Sequence, residues 1–407
     1  MAPAAYTYQA LPNVEDDEEK DLEITPDTES GLDTPCRRRC RSRRRFFHFS
    51  FIVFIMVSLV AYRALKGTNV LSLPTKCHSA MQIWGYGKSP QLTNYHSLST
   101  SNLVNGELPT HYTLPSGDKI PSVALGVWRA SPGEVGNAVK TALQTGYRHI
   151  DDAWIYGNEA EVGAAIKESG IPRDQIWITS KLWNTFHKPE DVEPALDESL
   201  SRLGTNYLDL YLIHWPVAFK KGSQNVVDHE LTENPYPTWK KLEEMVEKGK
   251  VKNIGVSNFN IRRIQNLTAN PLKIKPAINQ VELSYWNPQP ELLQDSSFKW
   301  SKENELLLEA YSPLGSAQKV KESLQIPEVK AIAHELGLTP AQVYISWHVQ
   351  RGTVVLPKSV TPSRIQENFQ VKALPPNAFE KLENAARSHK PVRTVDPSKN
   401  WGVDIWN

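Results

Sequence analysis

The sequence predicts a closed parallel (β/α)8 barrel, and three observations predict it. From about residue 119 onward, short apolar runs alternate with longer amphipathic ones, eight strand-like runs in all, each followed by a helical pattern. No G-x-G-x-x-G follows the first run, which argues against an open doubly wound sheet. Titratable residues also recur at the C-terminal ends of several runs, the rim where such barrels carry their functional groups.

The chain of 407 residues is long for one small domain, so a large barrel with appendages is the first expectation. The formal net charge is +1 and well mixed after about residue 105, so nothing in it points to nucleic acid or an acidic polymer as partner, and neither is expected. All three cysteines, Cys36, Cys40 and Cys77, precede that point, so the barrel owes nothing to disulfides or thiolate chemistry.

Residues 1–45 are acid-rich and then arginine-rich, with too little apolar surface to offset the entropy of ordering, and are expected to be a disordered tail. Residues 46–62 contain no Asp, Glu, Lys or Arg and are dominated by Phe, Ile, Val, Leu and Met, and their 17 positions reach the short end of a bilayer span. A helix buried in a soluble fold is the blander alternative; a cleaved signal peptide would need a far shorter leading region. Seven arginines precede the span against Arg63 and Lys66 after it, which predicts a single-pass lipid-bilayer anchor with a cytosolic N-terminus. Without that segment in the mature protein the barrel would be cytoplasmic. Residues 63–104 read as a linker, and 105–407 as the barrel.

The elements follow in order. Tyr112 to Ile120, with Ser116-Gly117-Asp118 as turn, predicts a hairpin capping the barrel floor. Strands are expected at 123–127, 147–150, 176–179, 208–213, 252–256, 277–281, 306–310 and 353–356. Between the third and fourth, Val192, Leu196, Leu200 and Leu203 recur at helical spacing, and Gly204 stands where a C-cap belongs.

Asp151 and Tyr156 follow the second strand, Lys181 the third and His214 the fourth. Singly, each has an ordinary explanation in packing, capping or snorkelling. Together they form a chemical unit. A phenol near its ordinary pKa of about 10 is a poor acid, but a buried ammonium favours the phenolate. Lys181 is placed to supply that charge, Asp151 to hold Lys181, and a neutral His214 to orient a carbonyl oxygen for protonation by Tyr156. With no metal-ligand constellation and no activated nucleophile, a hydride must come from a bound cofactor.

The last strand offers a site for one. Pro357-Lys358-Ser359-Val360-Thr361-Pro362 ends a strand and opens a helix, with Thr361 as N-cap, which suits a phosphate at a helix N-terminus. Lys358 and Arg364 add the two cations that an extra phosphate, as on NADP, would select.

Residues from about 105 to 407 resemble the aldo-keto reductases, in particular the aldose-reductase-like branch common in fungi. The resemblance rests on Gly146 to Glu159, Leu208 to Pro216, Gly255-Val-Ser-Asn-Phe259 and Ile365-Gln-Glu-Asn-Phe369. It implies Tyr156 as proton donor to an aldehyde or ketone, with Asp151, Lys181 and His214 completing a tetrad and NADPH giving the hydride. It further implies that Ser257, Asn258 and Gln280 hold the nicotinamide carboxamide and that Tyr311 stacks on the ring. Ser312 and Leu314 would line the pyrophosphate channel. Lys358, Ser359 and Arg364 would take the 2′-phosphate, and Glu367 and Asn368 the adenine. Trp128, Trp183 and Trp401 are expected to shape an apolar substrate pocket, in a catalytic domain expected to be monomeric. After Glu282 the chain reads Leu-Ser-Tyr-Trp-Asn where the family usually has His-Pro-Tyr, which bears on substrate preference. A second reading, by likeness to the related potassium-channel β subunits, is an NADPH-binding redox sensor serving a membrane partner.

Overall fold

In the computed structural model, the structure describes residues 103–223, 225–293 and 306–406. The expected tail, membrane span and nearly all of the linker lie outside the described residues. Among the described residues no helix is long and apolar enough to cross a membrane.

The barrel is present. Eight strands run parallel in the order β3 (Leu125–Gly126), β4 (His149–Asp151), β5 (Trp177–Leu182), β6 (Leu208–Ile213), β9 (Val251–Ser257), β10 (Ile278–Glu282), β11 (Leu307–Tyr311) and β12 (Val354–Leu356). Parallel bridges from Val123 to Val355 and from Gly126 to Lys358 join the last strand to the first and close the sheet. Closure removes both edges of the eight-stranded sheet. The strand ends differ from the expected runs by at most three residues, most at the end of β5, and β6 matches its run without a shift.

β5 and β6 are buried at every position, because the barrel interior covers one face and helices the other. Outside the sheet, α1 (Glu134–Thr145), α2 (Glu159–Glu168) and α3 (Pro189–Leu203) lay apolar stripes on it. Helix α3 is the element predicted from Val192 to Leu203. It begins a turn earlier, at Pro189, and ends at Gly204 in the left-handed conformation, φ 64°. Gly163 permits α2 to approach α3: a Cβ there would sit 2.5 Å from the Leu203 carbonyl oxygen, too close for any side chain.

The hairpin of β1 (His111–Thr113) and β2 (Lys119–Pro121) is antiparallel, as expected. Its Leu114 and Ile120 pack with Trp177, Ile278 and Val354, residues at the N-terminal ends of barrel strands, and so plug the floor. Asp118 in its turn accepts a hydrogen bond from Asn253 Nδ2 at 2.7 Å. With the floor sealed, the opposite rim is the one open to a ligand. A second, small hairpin, β7 (Ala218–Phe219) with β8 (Val227–Asp228), rises from that rim after β6.

Candidate active site

Asp151 is the last residue of β4, Lys181 lies near the end of β5, and His214 immediately follows β6. Asp151 pairs with Thr179 and Lys181 with Leu212, so Lys181 and His214 each stand two residues beyond the register partner of the one before, and the three emerge at the same C-terminal rim. Tyr156 arrives from a single 3-10 turn, Trp154–Tyr156, whose Trp154 Nε1 donates to Glu198 of α3 at 2.9 Å.

The side chains meet as the sequence predicts. Lys181 Nζ donates to both oxygens of Asp151 at 2.9 Å, to the Asp152 carbonyl at 2.8 Å, and reaches the Tyr156 hydroxyl at 3.4 Å. Asp152 contributes only its backbone there, which assigns the carboxylate partner to Asp151. The Tyr156 and His214 rings stand edge to face with centroids 5.8 Å apart.

The electrostatics follow from this packing. Burial would lower the Lys181 pKa, but Asp151 and then Tyr156 outweigh it, and the ammonium is held above its ordinary value. The expected lowering of the Tyr156 phenol does not prevail. Burial pushes it up to about 12, with Lys181 opposing the rise and Asp151 adding to it. Burial, reinforced by the charge of Lys181, holds His214 well below the usual imidazole range, so this ring is neutral. Its Nδ1 is buried without a hydrogen-bond partner.

Around this centre lie the residues expected to hold a nicotinamide. Asn258 sits at φ 64° directly after β9; its Nδ2 donates to the His214 carbonyl at 3.0 Å and to Ser257 Oγ at 3.1 Å. The Tyr311 hydroxyl donates to Asn258 Oδ1 at 2.7 Å. The amide of Gln280 donates to Asp151 Oδ1 and to Glu309 Oε2, both at 2.8 Å. Ser312, at φ 49°, starts the turn that carries Leu314, and its carbonyl accepts from the Gly315 N–H at 2.8 Å.

The residues expected to take a phosphate stand around one helix start. Lys358 and Arg364 are exposed at the N-terminus of α11 (Pro362–Phe369), which leads directly from β12. One detail differs from expectation: the Thr361 side chain does not cap this helix. Ser359 Oγ instead accepts from the Thr361 N–H at 3.1 Å, because the chain turns before the helix starts. Glu367 Oε1 accepts from the Thr339 hydroxyl at 2.6 Å, and Asn368 is buried.

Trp183 and Trp401 meet over the site with centroids 6.3 Å apart. Trp215, Phe219 and Trp406 join them in one apolar cluster that the sequence reading missed. The adjacency of Trp215 to His214 could have revealed it; Phe219 and Trp406 are brought in by the β7 hairpin and the C-terminal segment, which no local pattern predicts. Trp128 is not a member of that cluster among the described residues; Arg129 lies over its ring at 4.5 Å.

Residues 122–387 match the model of the aldo/keto reductase family. The chain is 40% identical over 316 residues to glycerol 2-dehydrogenase (NADP(+)) of Hypocrea jecorina, covering 72% of this chain and 97% of that one. It is 45% identical over 277 residues to aldo-keto reductase family 1 member A1 of Xenopus tropicalis, covering 64% and 83% respectively. Among solved structures it is similar to the aldose reductase from Schistosoma japonicum, with a TM-score of 0.64 at 40% identity, covering 73% of this chain and 97% of that one.

Proposed function

Because the chain belongs to the aldo/keto reductase family, whose chemistry is carbonyl reduction with NADPH, we propose that Tyr156 is its proton donor and that Asp151, Lys181 and His214 complete the site. The observation that carries this is the Lys181 ammonium, 1% exposed, joining the Asp151 carboxylate to the Tyr156 hydroxyl.

The residues fit the cofactor. Polar side chains of Ser257, Asn258 and Gln280 line the rim beside the tetrad, and cations of Lys358 and Arg364 flank the N-terminus of α11. When bound, NADPH supplies the hydride. The protein's own contribution is to orient the carbonyl and to hold and deliver a proton. With its pKa up at about 12, the Tyr156 phenol keeps its proton at neutral pH, the state a proton donor needs before reduction. Lys181, 3.4 Å away, then stabilises the phenolate as the proton leaves for the substrate oxygen. Neutral His214, its Nδ1 sealed, has Nε2 left to donate to that oxygen. The aromatic cluster excludes water and favours an apolar aldehyde or ketone, although two fungal relatives are named for glycerol oxidation, the reverse direction.

The test is loss of reduced-nicotinamide absorbance by the full chain against aromatic aldehydes, aldoses and glyceraldehyde. Turnover of at least one is expected; tight NADPH binding with none turned over would favour the sensing reading. For residues 46–62 we propose a bilayer anchor, supported by the arginine run before an uncharged stretch. Release of the chain from membranes by alkaline carbonate would refute it.

A further inference from the structure

Glu309 sits within β11, completely buried, in a position that the expected constellation does not use. Its Oε2 accepts from Gln280 Nε2 at 2.8 Å, and the same nitrogen donates to Asp151 Oδ1 at 2.8 Å. An amide nitrogen has two hydrogens, and both are engaged here. The Asp151 carboxylate, paired with Lys181, decides which end of the amide is which, because an amide oxygen facing it would be repelled. The Gln280 side-chain oxygen is therefore the atom left to meet a ligand.

The arrangement is costly enough to require a reason. Glu309 Oε1 is buried without a hydrogen-bond partner. Burial, and then Asp151, push its carboxyl up to about 8, while Gln280 and then Lys181 oppose the rise. An apolar residue would fill this part of the barrel interior at lower cost, as Val354, its register partner on β12, does. It would also leave the Gln280 amide with a single anchor, free to swing about Asp151.

Resting on the reading of this pocket as a nicotinamide site, we propose that Glu309 is a positioning residue: it fixes the Gln280 amide so that its oxygen accepts from the carboxamide N–H of the cofactor. Asp151 fixes one Gln280 hydrogen and Glu309 the other. The orientation of the nicotinamide is thereby tied to the same carboxylate that holds Lys181. Two jobs, keeping the proton donor's ammonium in place and aligning the hydride donor, share one hydrogen-bonded chain from Glu309 through Gln280 and Asp151 to Lys181.

The experiment compares the full chain with Glu309→Leu and Glu309→Gln. NADPH is titrated against each, beside adenosine 2′,5′-bisphosphate, which shares the phosphate end but lacks the nicotinamide. Glu309→Leu is expected to weaken NADPH about tenfold, the scale of one lost hydrogen bond, and to leave the bisphosphate unchanged. Glu309→Gln keeps an acceptor oxygen and is expected to stay within roughly threefold of wild type. Unchanged bisphosphate binding also reports that the variant is folded. Equal weakening of both ligands, no weakening of either, or a Gln variant as impaired as the Leu variant would each overturn the proposal. A wild-type chain that binds the bisphosphate but gains nothing from the nicotinamide would instead overturn the functional reading beneath it.

Discussion

Lys181 and Asp151 form a two-pronged ion pair, each carboxylate oxygen 2.9 Å from the ammonium, inside a barrel rim where both side chains are almost wholly shielded from water. A charge in that position is tolerable only while its partner is present. Replacing Lys181 with Met strands the carboxylate, and is expected to cost about 3–5 kcal/mol of stability in denaturant unfolding. Adding Asp151→Asn to it is expected to recover part of that loss, because the two residues share one interaction. Strictly additive losses would show that the pair does not act as a unit.

Tyr156→Phe removes only the hydroxyl. Turnover is expected to fall by about 10²–10⁴-fold while NADPH affinity stays at the wild-type value, since the hydroxyl acts on the substrate oxygen. Stopped-flow reduction and fluorescence titration separate the two quantities. Residual turnover within a few-fold of wild type would give the proton-donor role to another group.

Lys358 and Arg364 flank the start of α11. Replacing either with Met is expected to lower the preference for NADPH over NADH about tenfold, through loss of a charge-assisted contact that only the phosphorylated cofactor offers. The ratio of kcat/KM values for the two cofactors measures it. A ratio that does not move would place the extra phosphate elsewhere.

Trp401 packs edge-on against Trp183, Trp215 and Phe219. Trp401→Ala opens that cluster, and KM for aromatic aldehydes is expected to rise about tenfold, while glyceraldehyde, too small to fill the space, changes little. Parallel loss on both substrates would indicate collapse of the rim rather than a lost contact.

Acid stability tests a histidine away from the rim. Burial lowers His149 to about 3, the Pro121 carbonyl opposing and Lys181 adding to the fall, with Nε2 3.1 Å from the Thr179 hydroxyl. The unfolded chain takes up this proton below about pH 6.5 and the folded chain does not until far lower. The stabilisation is thus fully present above pH 6.5 and is lost as pH falls towards 3. His149→Gln is expected to flatten the fall in unfolding free energy by about 1.4 kcal/mol per pH unit within that window. Identical slopes for the two proteins between about pH 6 and pH 4 would mean that His149 is not kept neutral.

The barrel was legible because its cause is local and repeated. A strand covered on both faces must be apolar along its length, a helix on one face must repeat every three or four residues, and Gly204 marks where α3 has to stop. The convergence of Asp151, Lys181 and His214 was legible for a related reason: parallel strands present their C-terminal ends at a common rim, so residues placed there in sequence are neighbours in space. Other features depend on where separate elements come to rest. The net pKa of Tyr156 turns on how deeply the folded rim buries it, against the single charge of Lys181. Phe219 and Trp406 reach Trp215 and Trp401 because a hairpin and the C-terminal segment converge on the same mouth. Glu309 gains its meaning when β11 lies beside β10 and the barrel interior brings Gln280 between it and Asp151. Patterning along a chain records which face of an element is covered; the partner of a buried polar atom is settled by closure of the fold, since that partner lies far away in the chain.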